Sequence, residues 1–198
     1  MQLVSSRRLP SNWRTEMEAP AAARMRLSER YLRLDEGQGG AIASGSFGRV
    51  YLAMDQLTQQ PVAVKRQPAG HRSCAREMAV YEVFRAFPHD NILLMLDRFV
   101  DRPAGSDSPC VYIVFEYCPT SLWHIFRREP LAQHGLLEMA TIARHLQDIS
   151  RGLSHLHGLG MAHGDLSMKN ILVDAHHRCK IADFGTACEF HKTLKLQQ

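Results

Sequence analysis

Two clusters of residues carry the chemistry in this sequence. The first is Ala43-Ser-Gly-Ser-Phe-Gly-Arg-Val50, a glycine-bearing turn between two strand-like runs; seventeen residues after Gly48, Lys65 ends the apolar run Val62-Ala-Val-Lys65. Gly45 and Gly48 lack a Cβ, so backbone N–H groups there can close on an anion such as a phosphate. Lys65 adds one ammonium group to an otherwise apolar strand, a point charge suited to the same anion. The second cluster is His163-Gly-Asp-Leu-Ser-Met-Lys-Asn170, with Asp183-Phe-Gly185 beginning thirteen residues after Asn170. Asp165, Asn170 and Asp183 bring two carboxylates and a carboxamide to the edges of short strands. That set suits a hard, oxygen-liking cation such as Mg²⁺, together with a base that can receive a hydroxyl proton.

The elements that must position these groups are legible in the hydrophobic pattern. Short β-type runs cover Gly40 to Ser44, Arg49 to Met54, Val62 to Arg66, Ile92 to Val100 and Cys110 to Tyr117, with a Pro- and Ser-containing loop from Pro103 to Pro109. One helix interrupts them, from about Arg72 to Phe87, where Val80, Tyr81, Phe84 and Phe87 form an apolar stripe. After Pro119 the pattern turns helical. Met139, Ile142, Leu146, Ile149, Leu153 and Leu156 step by three and four, which predicts one long amphipathic helix whose apolar face packs on a core and which stops near Gly158 and Gly160. Two short strands, Ile171 to Val173 and Cys179 to Ala182, flank the turn from Asp174 to Arg178. A β-rich half followed by a helical half predicts an α+β arrangement with a cleft between the two.

Composition narrows the class without naming a function. The chain has 198 residues, 24 Lys+Arg against 20 Asp+Glu, and 45% hydrophobic residues, which excludes disorder throughout as well as a collagen or coiled-coil composition. A formal charge of +4 is too mild and scattered to argue for nucleic acid. Cys74, Cys110, Cys118, Cys179 and Cys188 are odd in number and show no paired spacing, so neither a disulfide framework nor a C-x-x-C site is expected, and a reducing compartment is. No apolar run approaches the ~18 to 20 residues of a membrane span, and no secretory signal is expected. Residues 1 to 28 read as a disordered leader; Arg7, Arg8 and Arg14, without an acid among the first fifteen residues, also resemble an organelle transit peptide.

The two clusters, taken with Lys65, resemble the eukaryotic protein kinase family: the patterns G-x-G-x-x-G-x-V, V-A-x-K, H-x-D-x-x-x-x-N and D-F-G occur in that family's order and spacing, from about Tyr31 to Gly185. The resemblance implies a protein-kinase-like bilobal fold with a β-rich N-lobe over 29–118 and a partial helical C-lobe over 119–198. It implies an ATP-dependent kinase acting on a Ser or Thr, or less expectedly Tyr, hydroxyl of a protein, with ATP and Mg²⁺ as cofactors. On this basis Ala43, Gly45 and Gly48 cover the phosphates and Lys65 holds the α- and β-phosphates. Val50, Ala63 and Leu172 sandwich adenine, Phe115 is a bulky gatekeeper, and the backbones of Glu116 and Cys118 form a hinge in the style of cyclin-dependent kinases. Asp165 accepts the substrate proton, and Asn170 and Asp183 bind Mg²⁺. A protein substrate is implied, with a regulatory subunit as a further partner, neither nucleic acid nor membrane, and a cytoplasmic or nuclear place in the cell.

The resemblance also asks for a helix glutamate to pair with Lys65, and both Glu77 and Glu82 lie on the right helix. Val80, Tyr81 and Phe84 follow Glu77 at steps of three, four and seven, so Glu77 shares the apolar face, whereas Glu82 has mixed neighbours. Glu77 is therefore preferred. The sequence departs from the family at several places. Ala43 replaces the first loop glycine. Gly164 replaces the arginine before the catalytic aspartate, which puts control through an activation-loop phosphate in doubt. Ser167 stands where Ser/Thr kinases carry a lysine; Lys169, where tyrosine kinases carry an arginine, could bring a charge to the γ-phosphate. His-Gly-Asp is also the form in aminoglycoside and choline-type phosphotransferases, so a small-molecule kinase remains an alternative. Thirteen residues after Gly185 leave no room for the family's remaining helices, so a truncated chain acting as an inactive nucleotide-binding or scaffold fragment is the non-enzyme alternative.

Other chemistry-bearing side chains receive structural readings. His176, His177 and Cys179 are expected in a solvated turn rather than at a metal. His155 and His157 suit a helix C-terminus. Trp123 is expected to pack, and nothing in the sequence marks Cys118 as a nucleophile.

Overall fold

The computed structural model describes residues 30–33, 41–45, 48–70, 72–103, 107–128 and 139–189. The expected leader over 1–28 lies outside the described residues, as do Ser46 and Phe47 in the glycine turn and residues 190–198. Strands β1 (Tyr31–Arg33), β2 (Ala43–Gly45), β3 (Gly48–Asp55), β4 (Gln60–Pro68), β5 (Met95–Asp101) and β6 (Cys110–Glu116) form an antiparallel sheet in the order β1-β3-β4-β6-β5, with β2 paired to β3. Helix α1 (Arg72–Ala86) follows β4. The second half contains β7 (Thr120–Ser121), α2 (Leu122–Arg128), α3 (Met139–Gly158), β8 (Met161–Ala162), β9 (Ile171–Val173), β10 (Cys179–Ile181) and β11 (Cys188–Glu189).

The period-2 alternation of β4 assigns its two faces. Val62 and Val64 pack with Tyr31, Ala53, Tyr112 and Val114 in a small cluster on one side of the sheet. Ala63, Lys65 and Gln67 take the other side, opposite Phe115, Ile113 and Val111 of β6 in register. Helix α1 lies on that side and buries Cys74, Glu77, Met78, Val80, Tyr81 and Phe84. Tyr81 then meets Phe115 (ring centroids 4.8 Å apart) and Phe184 (5.4 Å), and Phe84 meets Phe184 at 4.9 Å. Burial of each such ring contributes about 1.5–3 kcal/mol, so this cluster does much to hold α1 on the sheet and on the chain after Asp183.

Three sequence expectations change. Tyr31–Arg33 adds a short strand beyond the five runs; its first residue is buried and stacks on Phe99. The run from Ile92 does not pair in the large sheet until Met95, because Ile92 bridges Ile181 and the Leu93 N–H donates to the Ile181 carbonyl at 2.9 Å. Phe87 is 57% exposed, since α1 ends at Ala86 before the stripe reaches it.

The long helix buries its expected stripe in part. Leu156 is buried and Ile149 and Leu153 pack on the core as expected, while Leu146 is 59% and Met139 is 72% exposed, and His145, Asp148 and Gly152 are buried as well. Close backbone approach draws these extra residues in. A Cβ on Gly152 would lie 2.7 Å from the Asn91 carbonyl oxygen and 2.9 Å from Ile181 Cδ1, so only glycine lets α3 come this near. Asp148 Oδ2 accepts the Cys179 N–H at 2.9 Å on the same face. A buried carboxylate bonded to a strand N–H outranks an extra leucine, because leaving that donor unpaired would cost about 1–3 kcal/mol.

Candidate active site

Strand β4 delivers Lys65 to the inner face of the sheet, and α1 delivers Glu77 opposite it. Lys65 Nζ donates to both Glu77 oxygens, at 2.7 and 2.8 Å, and to Asp183 Oδ1 at 3.0 Å. Glu82 is elsewhere on the helix, 2.7 Å from Arg98 Nε and 3.6 Å from Arg85. Burial works against the Lys65 charge, yet the carboxylates of Glu77 and Asp183 outweigh it and hold the ammonium above its ordinary pKa. Burial pushes the Glu77 carboxyl upward, partly offset by Lys65 and by the Gln67 amide.

The second cluster is held by its backbone. His163 Nδ1 accepts the Asp165 N–H at 3.3 Å, so Nε2 carries the ring proton and donates to the Ala182 carbonyl at 2.9 Å. The Thr186 hydroxyl donates to the His163 carbonyl at 3.0 Å. Gly164 has φ +81° and its absent Cβ would lie 2.6 Å from the Thr186 carbonyl oxygen, so the chain after Asp183 lies directly on this loop. Asn170 Nδ2 donates to the Asp165 carbonyl at 2.8 Å and lies 3.5 Å from Asp165 Oδ2. Asp183 itself adopts φ +63°, unusual for a residue with a Cβ, while Phe184 is fully buried against Tyr81, Phe84 and His163. Anchoring of that ring turns the Asp183 carboxylate toward Lys65 and stores backbone strain at the site.

The remaining sequence-derived site residues fall as follows. Gly45 pairs with Gly48 and Ala43 with Val50 across the β2–β3 hairpin, and Gly48, at φ +151°, would place a Cβ 2.4 Å from the Arg66 carbonyl oxygen. Val50, Ala63 and Leu172 are half-buried. Phe115 is buried between β4 and α1. The Glu116 N–H donates to the Leu94 carbonyl at 3.1 Å, and Glu116 Oε1 accepts the Leu94 N–H at 2.8 Å and the Lys180 ammonium at 2.9 Å. Cys118 is half-buried and its thiol is pushed up to about 12 by desolvation, so it is no nucleophile at neutral pH. Lys169 stands apart from the others: its ammonium sits 5.1 Å over the Trp123 ring of α2, which also carries Arg127 at 5.9 Å. Trp123 thus packs and serves as a cation platform.

These residues can hold a magnesium-bound triphosphate. Asn170 uses its Nδ2 on its own loop, which leaves its Oδ1 as the oxygen available to a cation, and Lys65 engages only one oxygen of Asp183. Two free oxygen donors beside a fixed ammonium suit a hard cation and a phosphate chain. Among the described residues no group of three or more His, Cys, Asp or Glu is disposed to hold another metal. His176 and His177 lie in the turn built on Asp174, whose Oδ1 accepts the N–H groups of His176 and Arg178 at 2.8 and 2.9 Å.

Residues 38–198 match the family described as the protein kinase domain. The chain belongs to the protein kinase family. Similar curated proteins include the mitogen-activated protein kinase HOG1B of Wallemia ichthyophaga, 34% identical over 167 residues, which cover 81% of this chain and 40% of that one. The mitogen-activated protein kinases hog1 of Aspergillus terreus and sakA of Aspergillus fumigatus are each 35% identical over 152 residues, 74% of this chain and 38% of theirs. This kinase chain therefore spans about two-fifths of the length of the curated relatives it matches. Among its described residues no helix is long and apolar enough to cross a membrane.

Sequence reasoning passed over four groups that shape this kinase site. Gln67 touches Glu77, Lys180 ties Glu116 to β10, Asn91 Nδ2 donates to the Cys179 carbonyl at 2.9 Å, and Asp148 holds the Cys179 N–H. Gln67 had a usable signal, since it lies two residues after Lys65 and must share its strand face. The other three depend on long-range contacts that no local pattern encodes.

Proposed function

We propose that this chain binds ATP with Mg²⁺ and transfers the γ-phosphate to a Ser or Thr hydroxyl of a protein. The observation that carries the reading is the bracketing of Lys65 Nζ by Glu77 and Asp183, which fixes a cation beside a carboxylate that retains a free oxygen. Lys65 would meet the α- and β-phosphates. The β2–β3 hairpin with Ala43, Gly45 and Gly48 would cover the phosphates from above. Val50, Ala63 and Leu172 would enclose adenine, with the backbone of Glu116 and Cys118 at its edge. Asn170 and Asp183 would hold Mg²⁺, which when bound neutralises phosphate charge during transfer. Asp165 is exposed, with its backbone fixed by His163 and Asn170 and its carboxylate free to receive the acceptor proton. Lys169, over Trp123, would meet the substrate or its phosphate at the mouth of the site. Residues 29–118 and 119–198 are the corresponding lobes, and a protein substrate and a regulatory protein are the partners this reading implies. The relatives' name, mitogen-activated protein kinase, supports a protein as the phosphate acceptor.

The test is transfer of label from γ-labelled ATP to a mixed protein substrate by the chain as it stands. Wild type is expected to label substrate and to gain thermal stability with Mg²⁺-ATP; Lys65→Met is expected to lose both, and Asp165→Asn only the transfer. Equal labelling by all three removes the enzymatic claim.

A further inference from the structure

Strand β4 carries a second buried polar residue on its inner face, beside Lys65. Gln67 follows Lys65 by two residues, shares its face, and is 0% exposed. Its amide nitrogen donates to Glu77 Oε2 at 2.6 Å. The opposite amide orientation would set two oxygens at that separation, so the nitrogen must face the carboxylate. Its Oε1 is buried and has no hydrogen-bond partner among the described residues. A leucine or methionine would fill this space without an orphaned acceptor, so the fold is less stable with glutamine than it needs to be. Breaches of this kind concentrate where function needs the group.

The need becomes visible at Lys65. Its ammonium is shared between Glu77, at 2.7 and 2.8 Å, and Asp183, at 3.0 Å. If Glu77 rotated away, the lysine would fall wholly onto Asp183, and the carboxylate needed for a cation would be occupied by an ammonium. Glu77 Oε2 accepts from Lys65 and Gln67 together, so the amide locks the carboxylate rotamer in which both oxygens face the lysine. The same side chain underlies the glycine hairpin: a Cβ on Gly48 would come 3.1 Å from Gln67 Cγ. We infer that Gln67 is a positioning residue, which holds Glu77 on Lys65 and thereby keeps Asp183 available to the metal. The inference rests on the nucleotide-binding reading of the site and adds a residue to it.

Gln67→Met tests it, because methionine keeps the length and removes both polar atoms. Mg²⁺-ATP affinity is expected to fall about three- to tenfold, the scale of one ordinary net hydrogen bond. The melting temperature is expected to hold or rise, since the orphaned acceptor is gone. In the Glu77→Gln background the same change should add nothing, because the carboxylate that Gln67 orients is already absent. A second readout needs no nucleotide: Lys65, less firmly held, should be acylated severalfold faster by an amine-reactive ester in the free chain, followed by mass spectrometry. Unchanged affinity and unchanged acylation in Gln67→Met, or full additivity with Glu77→Gln, would overturn the inference. If wild type binds no Mg²⁺-ATP, the nucleotide reading fails, and the acylation rates still decide the role of Gln67. Gln67→Leu repeats the comparison should the thioether pack poorly.

Discussion

The two sides of the site are built on opposite plans. On the sheet side Lys65 and Glu77 are buried and locked by short side-chain bonds. On the loop side Asp165 is exposed and Asn170 half-buried, and the loop is held by the Asp165 N–H on the His163 ring, by Asn170 Nδ2 on the Asp165 carbonyl and by Phe184 wedged beneath. A buried ion pair must be complete before any ligand arrives, because an unpaired charge there is strongly unfavourable. Exposed groups can wait for ligand in water. The sheet side is therefore a preorganised anchor, and the loop side is a backbone pinned by its own side chains that leaves carboxylate and carboxamide oxygens for a ligand.

Reversing a charge on each side breaks this contrast most sharply. Glu77→Lys would set two ammonium groups together in the interior and is expected to destabilise the fold by about 3–5 kcal/mol as well as abolish nucleotide binding. Glu82→Lys, on the same helix, loses only a half-exposed pairing with Arg98 and Arg85 and should cost about 0–1 kcal/mol. Thermal melts of the two variants measure the difference; equal losses would mean that Glu77 holds no special place. On the loop side the effect should appear in chemistry alone. Asp165→Asn is expected to slow phosphate transfer by about 10²- to 10⁴-fold. Its melting temperature and Mg²⁺-ATP affinity should stay at the wild-type values, and a fall in either would show that Asp165 is structural.

Asn91 joins the chain before β5 to β10 and α3, which gives a smaller test. Its Nδ2 donates to the Cys179 carbonyl, its carbonyl accepts the Ile181 N–H at 2.9 Å, and α3 crosses it at Gly152. Asn91→Ala leaves a buried carbonyl without this donor and is expected to cost about 1–3 kcal/mol by urea unfolding. Transfer per folded molecule should change little. A large loss of transfer without loss of stability would mean that the junction itself is catalytic.

This division also explains what could be read from the sequence. A lysine ending an apolar strand, a helix glutamate on the apolar stripe and the motifs His163 to Asn170 and Asp183 to Gly185 are local patterns, and they led to Lys65, Glu77, Asp165, Asn170 and Asp183. The strand assignments failed where the chain left local pairing: Leu93 and Asn91 bond to Ile181 on either side of Ile92, about ninety residues away. The face of α3 was legible in part: Leu156, Ile149 and Leu153 lie on the core, whereas Met139 and Leu146 are exposed. The approach at Gly152 and the Asp148 bond to Cys179, which hydrophobic spacing does not encode, are both long-range. Lys169 was expected near the γ-phosphate on position alone, and its attraction to the Trp123 ring depends on where α2 sits.

The smallest expected effect concerns acid. Asp55 is held below the usual carboxylate range mainly by its bonds to Arg30, and Asp174 by the N–H groups of Arg178 and His176 and by the Arg178 side chain, which outweigh its burial. Each aspartate binds its proton more weakly in the folded chain than in the unfolded one. Their stabilisation is therefore complete above the unfolded value of about 3.9 and is lost as pH falls through the depressed folded values. Glu77 has the opposite sign: its raised value favours the protonated form in the fold, so its contribution weakens as pH rises through that value and cannot drive acid unfolding. Asp174→Asn retains an acceptor for the two backbone N–H groups and loses only the charge pairing with the exposed Arg178 guanidinium, which should cost about 0–1 kcal/mol at neutral pH. Urea unfolding between pH 7 and pH 3 should then show a shallower acid limb for Asp174→Asn than for wild type. Glu77→Gln should leave that limb as steep as before; if it flattens the limb and Asp174→Asn does not, the buried pair rather than the surface turns governs acid sensitivity.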